Sequence, residues 1–327
     1  MNIIQMVKAY SGMIMGKADY WHPDLNTNCA LKNDRVAEYP IDMALKAEYT
    51  GEFDEENIPL VLIDGHFSYL PVTIAQHALG NYDQYLRTRN PLYLRRVLGS
   101  ANWLVKSLVE FRSGQWGWVN NHDVPLYFLK KPWLSALSQG QALSVLVRAY
   151  LETQDEKYRE AGQKALKTFS VPVGEGGVLA KWQGFDFFEE YPTEPPSFVL
   201  NGFIFALWGL WEFQLITRSP EALAHYQAGI RTLECCLHEY QISSLNWSRY
   251  DLYPFQTPHI ASIFYHKAHI QQLKAMALLT GNEMFNRQAE IWEMGRKSPV
   301  RYVLATAYKV LHKLSMRKQC SYVPSVK

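Results

Sequence analysis

From residue 71 onward the apolar positions recur at helical spacing, and one block of this pattern returns several times. One copy begins Gln139-Gly140-Gln141-Ala142-Leu143, runs through Val147-Arg148-Ala149-Tyr150, turns at Thr153-Gln154-Asp155 and restarts at Glu156-Lys157-Tyr158. Another begins His269-Ile270-Gln271-Gln272-Leu273, turns at Thr280-Gly281-Asn282 and restarts at Glu283-Met284-Phe285. An earlier copy holds Ile74-Ala75-Gln76-His77-Ala78-Leu79 and the turn Thr88-Arg89-Asn90 before Pro91-Leu92-Tyr93. A weaker one spans residues 203–216 and restarts at Ser219-Pro220-Glu221. Each copy predicts an apolar helix, a short polar turn, an aromatic anchor and a second helix. The period is roughly 60–70 residues, loops included.

Such hairpins cannot bury their apolar faces alone, so they stack side by side. Closing the stack gives a mainly α fold, an (α/α) toroid; a solenoid open at both ends is the competing arrangement. The connections 111–133, 171–199 and 241–261 are long and rich in Gly, Pro, Trp and Tyr. Each joins the second helix of one hairpin to the first helix of the next. They are therefore expected to emerge at one end and build a shared cleft. Residues 1–70 lack a clear period and read as an irregular or partly β lead-in. The helical domain is expected over 71–295, followed by a tail over 296–327.

The most informative connection is Phe188-Glu189-Glu190-Tyr191-Pro192-Thr193-Glu194-Pro195-Pro196-Ser197-Phe198-Val199-Leu200-Asn201-Gly202-Phe203. Its prolines fix φ and remove backbone donors, so its carboxylates and phenol sit on a stiff loop. The run that follows, 203–211, is almost wholly apolar and must be buried. A rigid polar loop entering a buried helix suits acid/base groups at a cavity mouth. Paired carboxylates raise one another's pKa, and a neighbouring phenol can exchange protons with them. A bare Glu-Glu-Tyr string, without the prolines, would read as a solvated acidic loop.

Composition narrows the classes. Nearly half of the 327 residues are apolar, ample for a large core, and 33 basic residues nearly balance 31 acidic ones. Bulk charge therefore gives no nucleic-acid signature. The abundant Trp and Tyr suit either a sugar-binding cleft or a helical core. Cys29, Cys235, Cys236 and Cys320 show no metal-ligand spacing and no evident disulfide pair, which fits a reducing compartment. The first 20 residues lack a continuous apolar core for export, and no apolar run reaches membrane-spanning length. The expectation is a cytoplasmic, non-integral protein. After Glu293 there is no acidic residue, and Arg296, Lys297, Arg301, Lys309, Lys313, Arg317, Lys318 and Lys327 alternate with apolar positions. This tail reads as a basic amphipathic helix, either peripheral on an anionic inner membrane face or docked with a solvated basic face. The sequence does not set an oligomeric state.

Two more constellations carry polar chemistry. Arg249-Tyr250-Asp251-Leu252 precedes Tyr265-His266-Lys267-Ala268-His269. His266 and His269 share a helix face at i, i+3. With no third ligand at a convincing spacing, a metal site is not expected; carboxylate binding or hydrogen bonding suits the nearby Arg and Tyr better. Two histidines satisfied at a helix start would look the same. Gln139 and Gln141 flank Gly140 at another helix start, suited to anions or sugar hydroxyls, or to helix-start hydrogen bonding alone. Gly114-Gln115-Trp116-Gly117-Trp118 offers a stacking platform, with Trp118 the candidate. No Walker loop, Rossmann fingerprint or Gly-x-Ser-x-Gly elbow is present, which disfavours nucleotide-dependent and acyl-transfer chemistry.

Together these segments resemble the catalytic C-terminal domain of the glucuronyl C5-epimerases. The resemblance rests on Ser138-Gln139-Gly140-Gln141-Ala142, Glu189-Glu190-Tyr191-Pro192-Thr193, Ser197-Phe198-Val199-Leu200-Asn201-Gly202-Phe203, Tyr250-Asp251-Leu252, and Tyr265-His266 with His269-Ile270-Gln271-Gln272-Leu273. It covers residues 39–292. It implies an (α/α) toroid and a cofactor-independent isomerase. The implied reaction converts D-glucuronate to L-iduronate in a heparosan-like polysaccharide. It implies catalytic roles for Glu190, Tyr191, Tyr250 and Tyr265. Arg249, His266 and Asn201 are then candidates for carboxylate and hydroxyl contacts, beside Gln139, Gln141 and Trp118. Two departures stand out. Animal members carry an upstream β-rich domain that this chain is expected to lack, so Tyr20, Tyr39, Tyr49 and Tyr69 are candidates for its role. Tyr253 stands where the family leads one to expect a basic residue. A uronan lyase or uronate-processing glycosidase, or a glycan-binding homologue without activity, are the alternatives.

Overall fold

The computed structural model describes residues 24–26, 35–112 and 114–320, the side chains of 316–320 excepted. Tyr20 of the sequence candidates lies outside the described residues. A 3₁₀ turn, Ala44–Glu48, and a small antiparallel sheet lead in: β1 (Glu52–Phe53), β2 (Pro59–Ile63) and β3 (His66–Ser68) in the order β1-β2-β3. Four helical hairpins follow: α1 (Pro71–Thr88) with α2 (Pro91–Ser107), α3 (Ala136–Thr153) with α4 (Glu156–Leu166), α5 (Leu200–Thr217) with α6 (Pro220–Cys236), and α7 (Ile263–Thr280) with α8 (Glu283–Lys297). A last helix, α9, spans Pro299–Cys320. The connections between hairpins carry two-stranded ribbons: β4 (Val109–Arg112) with β5 (Gln115–Gly117), β6 (Val119–Asn120) with β7 (Trp133–Leu134), β8 (Leu179–Trp182) with β9 (Phe185–Phe188), and β10 (Gln241–Ile242) with β11 (Trp247–Ser248).

The hairpins share one turn. Each first helix ends in threonine, at Thr88, Thr153, Thr217 and Thr280, whose hydroxyl donates back to the carbonyl four residues earlier. The next residue is left-handed: Arg89, Gln154 and Arg218 at φ 58°, and Gly281 at φ 70°. The one after it, Asn90, Asp155, Ser219 or Asn282, donates its backbone N–H to the threonine hydroxyl and caps the second helix. Cap and left-handed residue satisfy the orphan groups of two helix ends within two residues. Antiparallel hairpins follow directly from this turn.

The first helices pack on one another in chain order, α1 on α3, α3 on α5 and α5 on α7, and each second helix backs its own first helix. The α3–α5 contact is the closest. A Cβ on Gly209 would overlap the Gly140 carbonyl oxygen, so only glycine lets the two backbones meet here. Further along the two helices Arg148 and Glu212 form a fully buried bidentate pair at 2.8 Å. The guanidinium also donates to Ala37 and Ser144 carbonyls and lies between the rings of Tyr39 and Tyr82. Asp83 on α1 accepts from the backbones of Tyr39 and Met43. The lead-in is thereby fastened to α1, α3 and α5 together. Helix α5 is buried on all sides from Leu200 to Phe213, as its apolar run demands.

Helix α9 docks on α8 and on the 3₁₀ turn Pro125–Tyr127. Ala305 and His312 are buried, and the Tyr308 hydroxyl donates to the Pro258 carbonyl. Val300, Val303, Leu304 and Leu311 stay exposed on its outer side. No described helix is long and apolar enough to cross a membrane. Gly209→Ala should lower stability by about 1–3 kcal/mol or more through overpacking. Gly99→Ala on α2, where an added Cβ meets nothing within 4 Å, should instead raise it by about 0.5–1 kcal/mol. Urea unfolding of both variants checks the contrast.

Candidate active site

The loop that follows β9 crosses the N-terminal ends of α3 and α5. The Glu189 carbonyl accepts the Ala136 N–H at the start of α3, and the Glu189 N–H donates to Val178. The Glu189 side chain turns inward, accepting from the Ser197 hydroxyl and the Phe198 N–H. It thus ties both ends of the proline-rich loop together. Burial pushes its carboxyl up to about 8, with those hydrogen bonds pulling the other way.

The neighbouring Glu190 rests on the first turn of α5. A Cβ on Gly202 would overlap its Oε2, so the glycine makes the seat. The Asn201 amide points at Oε2 from 3.4 Å. Burial raises the Glu190 carboxyl to about 7; the Tyr191 phenol and Asn201 amide oppose this, and the charge of Asp251 adds to it. A carboxyl held near neutrality serves as either acid or base.

Three phenols complete the cluster. Tyr191 stacks on Tyr127 at 5.0 Å and leans on Trp133 at 5.7 Å. Tyr250 enters from the connection after β11. Its carbonyl accepts the Leu200 N–H at the start of α5, and its N–H donates to His259. Tyr265, in the first turn of α7, meets the Tyr250 ring edge-on at 4.8 Å. Burial first, and the Glu190 charge second, hold the Tyr250 phenol well above its ordinary value; Tyr265 is pushed up to about 12 for the same two reasons. Tyr191 is likewise raised by burial and by Glu190. Glu190 and Tyr250 are buried, whereas Tyr191 and Tyr265 are only half-buried and open the cluster outward.

The structure therefore brings together Glu190, Tyr191, Tyr250, Tyr265 and Asn201. Arg249 adjoins Tyr250 in the chain, its N–H on the Tyr240 carbonyl and its Nε buried without a partner among the described residues. The remaining sequence candidates sit apart. Trp118 is buried and its indole donates to the Leu104 carbonyl, so its ring faces core. Gln139 is consumed by the Trp118 backbone, accepting its N–H and donating to its carbonyl. Gln141 accepts from Gln76. His266 is fully buried, stacked on Trp247 at 3.8 Å, with Nδ1 on the Ser248 N–H and Nε2 facing the Trp292 carbonyl. Burial drives its imidazole well below the ordinary range. Tyr39 packs on Phe205 and Trp208, while Tyr49 and Tyr69 donate to Leu60 and Asp54.

This arrangement of one carboxyl and three phenols at the helix starts coincides with a family match. Residues 112–294, more than half of the chain, match the model of the D-glucuronyl C5-epimerase C-terminus. The chain belongs to the D-glucuronyl C5-epimerase family. The D-glucuronyl C5-epimerase of Caenorhabditis elegans is 33% identical over 226 residues, which is 64% of this chain and 36% of the nematode protein. An uncharacterized protein of Methanocaldococcus jannaschii is 34% identical over 222 residues, 63% of this chain and 70% of that protein. The match thus spans about a third of the nematode enzyme. A solved structure of a UGL variant with dGlcA-Glc-Rha-Glc superposes at a TM-score of 0.46 and 11% identity, over 69% of this chain and 62% of that one.

All four acid/base candidates lie inside the residues that the C5-epimerase family model matches. Sequence reasoning missed Gly202 as the seat of Glu190, and it missed Tyr127, Asp251 and His259 behind Tyr191 and Tyr250. Gly202 and Asp251 stand inside quoted motifs, but nothing in a string shows that a missing Cβ makes room. Among the described residues, no group of three or more His, Cys, Asp and Glu side chains is placed to hold a metal.

The raised Glu189 carboxyl gives a signed expectation. Its folded form keeps a proton that the unfolded chain releases near its ordinary value of 4.5. The stabilisation is whole below that value and disappears as pH rises through about 8. Wild type should therefore lose stability relative to Glu189→Gln between about pH 5 and about pH 8. Urea midpoints across that range, compared between the two proteins, measure it.

Proposed function

We propose that this protein is a uronate C5-epimerase that interconverts D-glucuronate and L-iduronate residues within a polysaccharide. The observation that carries the reading is one carboxyl near neutrality with three phenols, converging from the connections after β9 and β11 and the start of α7. The row of hairpins is read as an (α/α) toroid with this cluster at its loop-bearing end.

The chemistry asks for such a set. C5 of a uronate is α to a carboxylate, and its proton is very weakly acidic. A base removes it from one face, an enolate forms over C5 and C6, and an acid returns a proton to the other face. No electrons are gained or lost overall, and no bond to C4 breaks. Glu190 and Tyr191 form one proton-transfer unit, because the Glu190 carboxylate can take the phenol proton as Tyr191 turns to C5. Tyr250 and Tyr265 form the other. Arg249 is assigned to the C6 carboxylate, whose charge grows as the enolate forms. Asn201 is assigned to a ring hydroxyl.

Incubation with a glucuronate-containing polymer in deuterated water tests this reading. Deuterium at C5 and iduronate in the product are expected. Ultraviolet absorbance from a 4,5-unsaturated uronate would instead mean a lyase. Glu190→Gln, Tyr191→Phe and Tyr250→Phe should each lower kcat by about 10²–10⁴-fold. Because Glu190 titrates near 7 and must be ionised to accept a proton, kcat/KM should rise with pH through about that value. Full activity in both phenylalanine variants would refute the role assignment.

A further inference from the structure

The inward side of α9 carries chemistry that its basic, amphipathic sequence conceals. Lys309 reaches down from the helix to within 2.7 Å of His259 Nε2 and donates to the Ile260 carbonyl at 2.8 Å. His259 Nδ1 lies 2.6 Å from Asp251 Oδ2. The Tyr127 hydroxyl donates to that same oxygen at 2.5 Å. Tyr127, Asp251 and His259 are all buried. At the far end of the chain of contacts, the Tyr127 ring stacks on Tyr191.

Donor and acceptor roles follow from the groups themselves. An ammonium has no lone pair, so Lys309 donates to Nε2. The imidazole proton must then sit on Nδ1 and point at Asp251. Burial lowers the His259 imidazole, in keeping with the neutral form. His312 stacks on His259 at 4.8 Å with rings nearly parallel, which fixes the ring plane. Asp251 accepts from both sides. The arrangement is a buried ion pair of Lys309 and Asp251 with a neutral imidazole between them.

We propose that Lys309 is a positioning residue of the active site, acting through His259 and Asp251 to hold Tyr127 and, by stacking, the Tyr191 phenol beside Glu190. The proposal makes α9, which lies beyond the residues matched by the family model, part of the working unit. Its kinetic readout rests on the epimerase reading; its spectroscopic readout does not.

Charge gives the relay a second effect. Asp251 raises the Glu190 carboxyl, and Lys309 is the cation set against Asp251. The titratable groups around Glu190 are Tyr191, Tyr250, Tyr265, Tyr127 and Asp251. Those around Lys309 are Asp251, His259, His312 and Lys313. Arg249 also acts on His259. Removing the Lys309 charge leaves Asp251 less balanced, so Glu190 should hold its proton to higher pH.

The test uses the full chain with Lys309→Met, Lys309→Arg and, as a control on the outer side of α9, Leu311→Ala. Lys309→Met should lower kcat about tenfold or more with KM within about twofold, and move the acid limb of the rate profile to higher pH. Lys309→Arg should restore most of kcat and the original limb, and Leu311→Ala should match wild type. Wild-type kcat and limb in Lys309→Met overturn the proposal. So do equal losses in both lysine variants with an unmoved limb, which is the mark of packing alone. If Lys309→Met folds poorly, Tyr127→Phe removes only the terminal donor and should show the same fall in kcat. Nuclear magnetic resonance supplies the independent arm. Wild type should show a strongly downfield His259 Nδ1 proton that disappears in Lys309→Met; its absence in wild type overturns the relay whatever the activity. A downfield proton in a wild type that does not epimerise any uronan upholds the relay and removes the epimerase reading.

Discussion

The close approach of α3 and α5 governs this molecule. Gly140 and Gly209 let the two backbones touch, and the Arg148–Glu212 pair fixes the register between them. Both helices begin at the same end, and one loop is fastened to both starts. Its Glu189 carbonyl holds the α3 N-terminus, while its Glu190 carboxyl sits against Gly202 on α5. The position of Glu190 is therefore set by how near two helices stand. A buried ion pair is weak evidence of net stability, since desolvation cancels much of the attraction. Its worth here is in geometry: a bidentate fork tolerates little sliding of one helix along the other.

Around that frame the protein concentrates carboxyls where water is scarce. Glu189, Glu190 and Asp251 all lie within one region of buried tyrosines, and each is handled differently. Glu189 accepts a hydroxyl and a backbone N–H and serves the loop. Asp251 is offset by Lys309 across His259. Among the described residues, an amide at 3.4 Å and a phenol are what oppose the desolvation of Glu190. The least supported of these carboxyls is thus the one that faces the half-buried Tyr191.

Much of the architecture could be read from the string because it repeats. Thr153-Gln154-Asp155, Thr280-Gly281-Asn282 and Thr88-Arg89-Asn90 mark hairpin turns, and each forms the same hydrogen-bonded corner. The stiff loop before an apolar helix was equally legible, since prolines and a continuous apolar run are local facts. Other features depend on what the fold brings together. Trp118 in a glycine-rich loop reads as a platform, yet the Gln139 amide binds its backbone and draws the ring into the core. His266 at i, i+3 from His269 reads as a pair for a ligand or for the core; the Ser248 hydroxyl meets both Nδ1 atoms at 2.9 Å and Trp247 stacks on His266, so the pair is satisfied inside the core. Lys309 looks like one more surface charge because the basic residues around it set the pattern, and only the packing of α9 shows which one turns inward.

A uronate, the substrate proposed above, would bring its own negative charge to a site that already holds ionisable carboxyls. Its arrival must push the Glu190 proton affinity further up, unless a cation meets the C6 carboxylate. Tyr253 is not such a cation, and Lys309 is committed to His259 and Ile260. Arg249, with a buried Nε that has no partner among the described residues, is the cation that stands beside Tyr250 in the chain. The demands then divide without conflict. On the proposed reading Lys309 is set against the protein's own Asp251, and Arg249 is left for the substrate carboxylate. Glu190 stays between the two, able to release its proton near neutrality because neither cation is bound to it.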